Sequence, residues 1–247
     1  MFSQSPFACR FEWGLKGVRD AAFRGDIIII VDVLSFSSAV VTAAHYGAKI
    51  FPSFDYESAY LFAEQTGGTV ALKRDEAYGG PSLSPLSYGP SDKGRHYILP
   101  SPNGSACASS LSGKGNTLLC GSLINAESAA EKAMEIKDER SITVIACGEQ
   151  WTDVTASENS LRPCLEDYLG AGAILSFLHG SKSPEASVCN FSFLSVREKL
   201  EDLIWDCGSG RELRKKGYEE DVTYCSRLNL YNTVPVFVKD HFESSEQ

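Results

Sequence analysis

Ile27-Ile28-Ile29-Ile30-Val31-Asp32-Val33 is the stretch on which the fold turns. Five consecutive β-branched residues leave no polar face, so the segment reads as a strand buried on both sides, as in a helix-covered parallel sheet. Just downstream, Ser35, Ser37 and Ser38 can cap a helix that runs to about Tyr46 and stops at Gly47. The same alternation continues, with a strand at 49–52, a helix over 55–65 ended by Gly67-Gly68, and a strand at 69–73. Residues 77–94 gather glycine, proline and serine without periodicity and read as a long surface loop. Further strands are predicted near 96–99, 117–120, 141–147 and 234–238. Helices are predicted from the 100–105 turn through Leu111, over 125–136 with Asn125 as cap, and at 163–178 with Pro163 in the first turn. Others follow at 184–193, 196–207, 210–216 and 221–228, and 148–160 is a second polar stretch. Strands alternating with helices predict an α/β fold, a layered sheet with helices on both faces. The 247 residues are read as one domain, with 1–140 and 141–247 as sub-lobes that the length admits.

Composition narrows the function. With 43% hydrophobic and 22% charged residues the chain is neither disordered nor membrane-like, and no apolar run nears the 18 or so residues of a membrane span. The first residues lack the charged and apolar regions of a signal peptide, so a cytoplasmic location is expected. A net charge of −9 argues against a nucleic-acid partner, and any anionic metabolite must be held locally by a few cations, helix ends or a metal. The eight cysteines form no C-x-x-C pair and several lie in apolar segments, where they read as small hydrophobes. The four histidines lack metal-ligand spacing, which speaks against a structural zinc site.

Ligands of open α/β sheets bind outside the carboxyl ends of the strands. Those ends carry Asp32 with Ser35, Ser37 and Ser38; Arg74; Asn103 with Gly104 and Ser105; Ser122; and Glu149. Several run straight into a helix, where backbone N–H groups suit a phosphate or sulfonate, although a serine there also serves as a plain cap. A carboxylate at Asp32 must be paired, exposed or metal-bound; on the residues alone it is either a loop cap or a functional group. Glu166-Asp167 opens a helix, where the dipole favours negative charge in any case. The small residues Gly170-Ala171-Gly172-Ala173 beside them admit close approach of a metal-bound ligand. Magnesium takes one or two carboxylates plus water and substrate oxygens, a demand Asp32 and this pair can meet. Arg74 can grip an oxyanion with two donors. A C-x5-R loop, a D-x-D at Asp32, a G-x-x-x-x-G-K-[ST] loop and a full dinucleotide fingerprint are all lacking.

Taken in order, Val31-Asp32-Val33-Leu34, Ser84-Pro85, Pro102-Asn103-Gly104-Ser105, Gly121-Ser122-Leu123 with Asn125, Leu165-Glu166-Asp167-Tyr168, Gly217-Tyr218-Glu219-Glu220-Asp221 with Cys225, and Val234-Pro235-Val236 resemble the 2-phosphosulfolactate phosphatase family of the coenzyme M pathway. The resemblance covers nearly the whole chain and rests on order and spacing. It implies a three-layer α/β/α sandwich. It also implies Mg2+-dependent hydrolysis of a phosphate monoester on a sulfonated three-carbon acid, releasing 3-sulfolactate. Asp32, Asn103, Glu166 and Asp167 match motif positions, as does Arg74. The expected catalytic set is therefore Asp32, Asn103, Glu166 and Asp167, with Mg2+ on Asp32, Glu166 and Asp167. Ser37, Ser38, Lys73, Arg74, Asn103, Gly104 and Ser105 are the expected substrate contacts, and a homodimer is compatible with the reading. Three departures are visible. Ser35 stands where the family commonly has arginine, Leu72-Lys73-Arg74 replaces G-E-R, and Ser101-Pro102-Asn103-Gly104-Ser105 replaces T-T-N-G-T. They leave open a phosphatase for another phosphomonoester and a non-catalytic binder of an anionic metabolite.

Overall fold

The computed structural model describes residues 3–151 and 160–245; most of the polar stretch at 148–160 therefore lies outside the described residues. The strands are β1 (Cys9–Trp13), β2 (Ile27–Val31), β3 (Lys49–Ser53), β4 (Thr69–Val70), β5 (His96–Pro100), β6 (Leu118–Gly121) and β7 (Ile142–Ala146). The short β8 (Glu149–Gln150) and β9 (Leu161–Arg162) follow, then β10 (Pro235–Val238) and β11 (His241–Ser244). The helices are α1 (Gly14–Arg24), α2 (Phe36–His45), α3 (Tyr56–Thr66), α4 (Gly104–Ser109) and α5 (Ala126–Glu135). After them come α6 (Leu165–Phe177), α7 (Pro184–Val196), α8 (Leu200–Asp206), α9 (Gly208–Lys215) and α10 (Glu219–Cys225).

Nine strands form one sheet in the order β1-β7-β2-β6-β10-β11-β3-β5-β4. As the all-apolar sequence predicts, β2 is central, parallel to β6 on one side and β7 on the other, and buried throughout. Its side chains alternate between two cores. Ile27, Ile29 and Val31 pack with Ala129, Ile174, Phe193 and Val222 of α5, α6, α7 and α10, whereas Ile28 and Ile30 pack with Val18, Val40 and Cys107 of α1, α2 and α4. Helices thus cover both faces, and the architecture is the α/β/α sandwich expected. All eight cysteines are free and buried in it.

Two parallel blocks make up the sheet, and the hairpin β10–β11 joins them through three antiparallel pairings. The direction of β3, β5 and β4 is therefore opposite to that of the β2 block along the hydrogen-bonded ladder. Five strand steps separate β2 from β5, and at about 20–25° of twist each they turn the second block well past a right angle. Residues after β5 consequently reach Asp32 at the end of β2.

The alternation predicted from sequence is present, with corrections at particular elements. β1, α1 and β11 were not expected: the pattern of Cys9-Arg10-Phe11-Glu12-Trp13 mixes polar and apolar residues because Arg10 is buried against Asp26. The strand at 69–73 shrinks to two residues, since Leu72 leaves the sheet to bridge Ser82 of the loop. Asn125 does not cap α5 with its side chain. It accepts a bond from the Ser122 N–H and donates to the Cys120 and Thr233 carbonyls, tying β6 to the approach of β10. Pro163 precedes α6, whose cap position is Cys164.

The small residues of α6 serve packing. A Cβ on Gly170 would lie 2.6 Å from Val33, and one on Gly172 would lie 2.5 Å from the Cys189 carbonyl oxygen and 2.8 Å from Phe193. Close approach there is by β2 and α7, in place of the metal-bound ligand that the sequence suggested. Gly172→Ala should lower stability by about 1–3 kcal/mol, because the backbone of α7 has to move away. A urea melt of wild type and variant measures this, and equal midpoints would show that the helix contact is loose.

Candidate active site

At the carboxyl end of β2 the chain turns sharply into α2, and this turn fixes Asp32. Its Oδ1 accepts from the Phe36 N–H (3.2 Å) and its Oδ2 from the Gly104 N–H (2.9 Å). The second bond needs glycine at 104, since a Cβ there would lie 2.3 Å from the Phe36 ring and 2.8 Å from Oδ2. Ser37 accepts from the Asp32 N–H, while Ser38 donates to the Val33 carbonyl and shares a 2.8 Å bond with Ser122. Both serines are buried and bind the turn together. The Ser105 hydroxyl donates to the Leu99 carbonyl at 2.6 Å.

The first turn of α6 brings Glu166 and Asp167 to the same place, each 2% exposed. Asp167 bridges two strand ends, accepting from the Val33 N–H (2.7 Å) and the Gly148 N–H (2.9 Å). Glu149, in β8, accepts a 2.8 Å bond from the Asn103 side-chain amide. A cleft of about 310 Å³ lined by Asn103, Glu149, Cys147 and Arg19 opens onto this pair.

Four carboxyl groups thus meet with little to neutralise them. Burial, and then the charge of Glu166, pushes Asp32 up to about 6, against its two backbone bonds and Arg74. Burial and the charges of Asp32 and Glu166 raise Asp167 well above the usual carboxylate range. The same three causes lift Glu149 to about 7, opposed by the Asn103 amide and Arg162. Asp26, at the amino end of β2, is the informative contrast. It is just as buried, yet Arg10 and Arg24 grip it at 2.9 Å and Thr143 donates to it. That carboxylate is structural, whereas Asp32 at the other end of the strand has no direct ion pair among the described residues, Arg74 beside it being paired with Asp221.

Arg74 lies beside Asp32 but is itself tightly held. Its Nε donates to Asp221 (2.7 Å), and its Nη2 donates to Ser35 (2.6 Å) and the Leu83 carbonyl (3.2 Å). Asp221 also accepts from Ser84 at 2.5 Å, so α10 closes over the glycine-rich loop. Ser35, where an arginine was expected, is therefore a partner of Arg74. Lys73 turns away: it is mostly exposed, pairs with Glu76 at 3.6 Å and lies near the Tyr56 ring.

Of the residues singled out from sequence, Asp32, Asn103, Gly104, Glu166 and Asp167 converge, with Arg74 at the edge and Lys73 outside. Ser37, Ser38 and Ser105 lie beneath the cluster with their hydroxyls engaged. Glu149 was visible as a strand-end residue but had no role assigned, and Asp221 lay in a quoted segment without one. Arg162 was missed, because a single arginine just before a helix carries no pattern.

No three Asp, Glu, His or Cys side chains among the described residues form a ready-made metal cage. The donor chemistry nevertheless fits Mg2+: hard carboxylate oxygens in excess negative charge, and an ion that needs one or two of them and keeps its waters. Asp32 and Asp167 each already accept two main-chain N–H bonds, so an ion would meet them through their remaining lone pairs, beside Glu166.

A family model described as 2-phosphosulpholactate phosphatase matches residues 16–240. This chain belongs to that family. Among the family's curated proteins, one from Carboxydothermus hydrogenoformans, named a probable 2-phosphosulfolactate phosphatase, is 30% identical over 228 residues, covering 90% of this chain and 88% of the relative. A 2-phosphosulfolactate phosphatase from Methanothermobacter thermautotrophicus is 28% identical over 229 residues, covering 90% and 91%. The family match spans every residue of the carboxylate cluster. No helix among the described residues is long and apolar enough to cross a membrane.

The raised carboxyls make stability depend on pH. Between about pH 4 and 7 the native protein binds protons that the unfolded chain has released, so stability is greatest at the acid end and falls as pH rises through the folded values of about 6 and 7. Asp32 alone accounts for roughly 3 kcal/mol at full ionisation. In chelator, the melting temperature should drop by several degrees from pH 5 to pH 8. A flat or rising profile would show that the cluster is solvated or paired.

Proposed function

We propose that this protein hydrolyses 2-phosphosulfolactate to 3-sulfolactate and phosphate, with Mg2+ held by Asp32 and Glu166. The observation that carries the reading is a set of buried carboxyls that outnumber the cations beside them, in a chain whose family is one of phosphoric monoester hydrolases. Bound Mg2+ supplies the positive charge that a phosphoryl group needs beside four carboxyls.

The chain's own groups do the rest. Asp167, clamped by two backbone amides, holds the ends of β2 and β7 together and so positions Glu166 one residue away. Arg74 lies beside Asp32, and its Nη1 has no partner among the described residues, which leaves it for a phosphoryl oxygen. Asn103 orients Glu149 through its amide. With a pKa of about 7, Glu149 carries a proton near neutral pH and releases it readily. Water attacks phosphorus and passes a proton to a phosphoryl oxygen, the bond from phosphorus to the C2 oxygen breaks, Glu149 donates its proton to the departing alkoxide, and solvent reprotonates Glu149. Phosphoryl transfer asks chiefly for positioning and charge, so this proton is the main covalent contribution the side chains make.

Phosphate release tests the scheme. Glu149→Gln should lower kcat on 2-phosphosulfolactate by about 10²-fold or more, and far less on an aryl phosphate whose leaving group needs no proton. Equal losses on both would remove Glu149 from the proton step. Release only from another phosphomonoester would keep the chemistry and change the substrate. Release from none would favour a binder of an anionic metabolite. For the metal, millimolar Mg2+ should raise the melting temperature at pH 8 and scarcely at pH 5, where Asp32 holds a proton instead. No shift at either pH would exclude the metal from this cluster.

A further inference from the structure

Two of the arginines near the carboxyls, Arg74 and Arg162, are held in different ways. Arg74 is ion-paired to Asp221, with 14% of its side chain exposed. Arg162 is half-buried and forms no ion pair with a carboxylate among the described residues. Its Nη2 donates to the Ser209 hydroxyl at 3.3 Å, and its guanidinium lies over the Trp151 ring, 5.7 Å from the centroid. Because β9 pairs with β8, Arg162 sits opposite Glu149, and its charge acts on that carboxyl. Gly208, the first residue of α9, lies beside the other end of the fork, where an added Cβ would stand 3.5 Å from Nη1.

An arginine oriented by an aromatic face and a hydroxyl, with no ion-pair partner among the described residues, is preorganised for an oxyanion. The substrate proposed above has one to offer. Its phosphoryl group goes to the carboxyl cluster, and an anionic group that does not react remains. Resting on that functional reading, we propose that Arg162, with the Ser209 hydroxyl, binds the substrate sulfonate and sets the preference for a sulfonated acid. A sulfonate presents three acceptor oxygens, and the site presents three donors in Nη1, Nη2 and the Ser209 Oγ. Arg74 then remains the arginine that closes the glycine-rich loop and meets the phosphoryl side through Nη1.

The test compares 2-phosphosulfolactate with 2-phospholactate, which keeps the phosphate and carboxylate and lacks the sulfonate. In Arg162→Gln the ratio of kcat/KM for the two substrates should fall by about 10- to 100-fold, mostly through KM for the sulfonated one. Equal loss on both substrates, or no loss, would overturn the proposal. Ser209→Ala should move the same ratio by a few-fold and carries the test if Arg162→Gln does not fold; an unchanged ratio in that variant would overturn it too. Calorimetric titration with 3-sulfolactate separates this inference from the catalytic reading. If wild type hydrolyses neither substrate, the proposed function fails. Sulfolactate binding that is present in wild type and lost in Arg162→Gln would still support the sulfonate site. Equal binding by both proteins, or none by wild type, would overturn it.

Discussion

Burial of carboxyl groups without matching cations is the constraint around which the molecule is arranged. An isolated ionised carboxylate in an apolar interior is prohibitive, so such a group must be protonated, hydrogen-bonded or offered an external charge. Here the backbone does part of that work. Asp32 and Asp167 each accept two main-chain N–H bonds, and those four donors come from the loops after β2, β5 and β7. The cluster is thus the point at which three strand ends are fastened together. Its electrostatic cost and its structural role belong to the same bonds.

This arrangement depends on features far from the chemistry. Gly104 can donate to Asp32 only because the hairpin β10–β11 joins a second parallel block to the first and twist turns its strand ends inward. Gly170 and Gly172 let α6 lie close to β2 and α7, which sets the depth of Glu166 and Asp167. Packing and electrostatics are coupled here: a small shift of α6 alters how deeply two charges are desolvated, and with them the proton affinity of Glu149.

The departures from the family pattern fall into two physical kinds. Ser35 is inside the site, with its hydroxyl bonded to Arg74, so the change from a second arginine to a hydroxyl removes charge next to Asp32. Lys73 is outside, solvated and paired with Glu76, where a change of charge is screened. Positive charge near the cluster includes Arg74 on the Asp32 side and Arg162 on the Glu149 side, two side chains 88 positions apart in the sequence.

Much of the layered fold was readable in the residues. An unbroken β-branched run before Asp32 can only be a strand buried on both faces, and its regular alternation with helices leaves few arrangements. Asp32, Asn103 and Glu166-Asp167 were legible because they stand at strand or helix ends within short recognisable segments. The fates of Ser37, Ser38 and Ser105 were not, because a hydroxyl before a helix looks the same whether it caps the backbone or faces a ligand. Glu149 and Asp26 are likewise both acidic residues beside strands. Only the tertiary structure separates them, by surrounding one with arginines and the other with carboxyls. Local pattern reports which face of a strand is buried, since that is a property of neighbours along the chain. The charge felt by a buried group depends on neighbours across the fold, and no periodicity in the sequence records it.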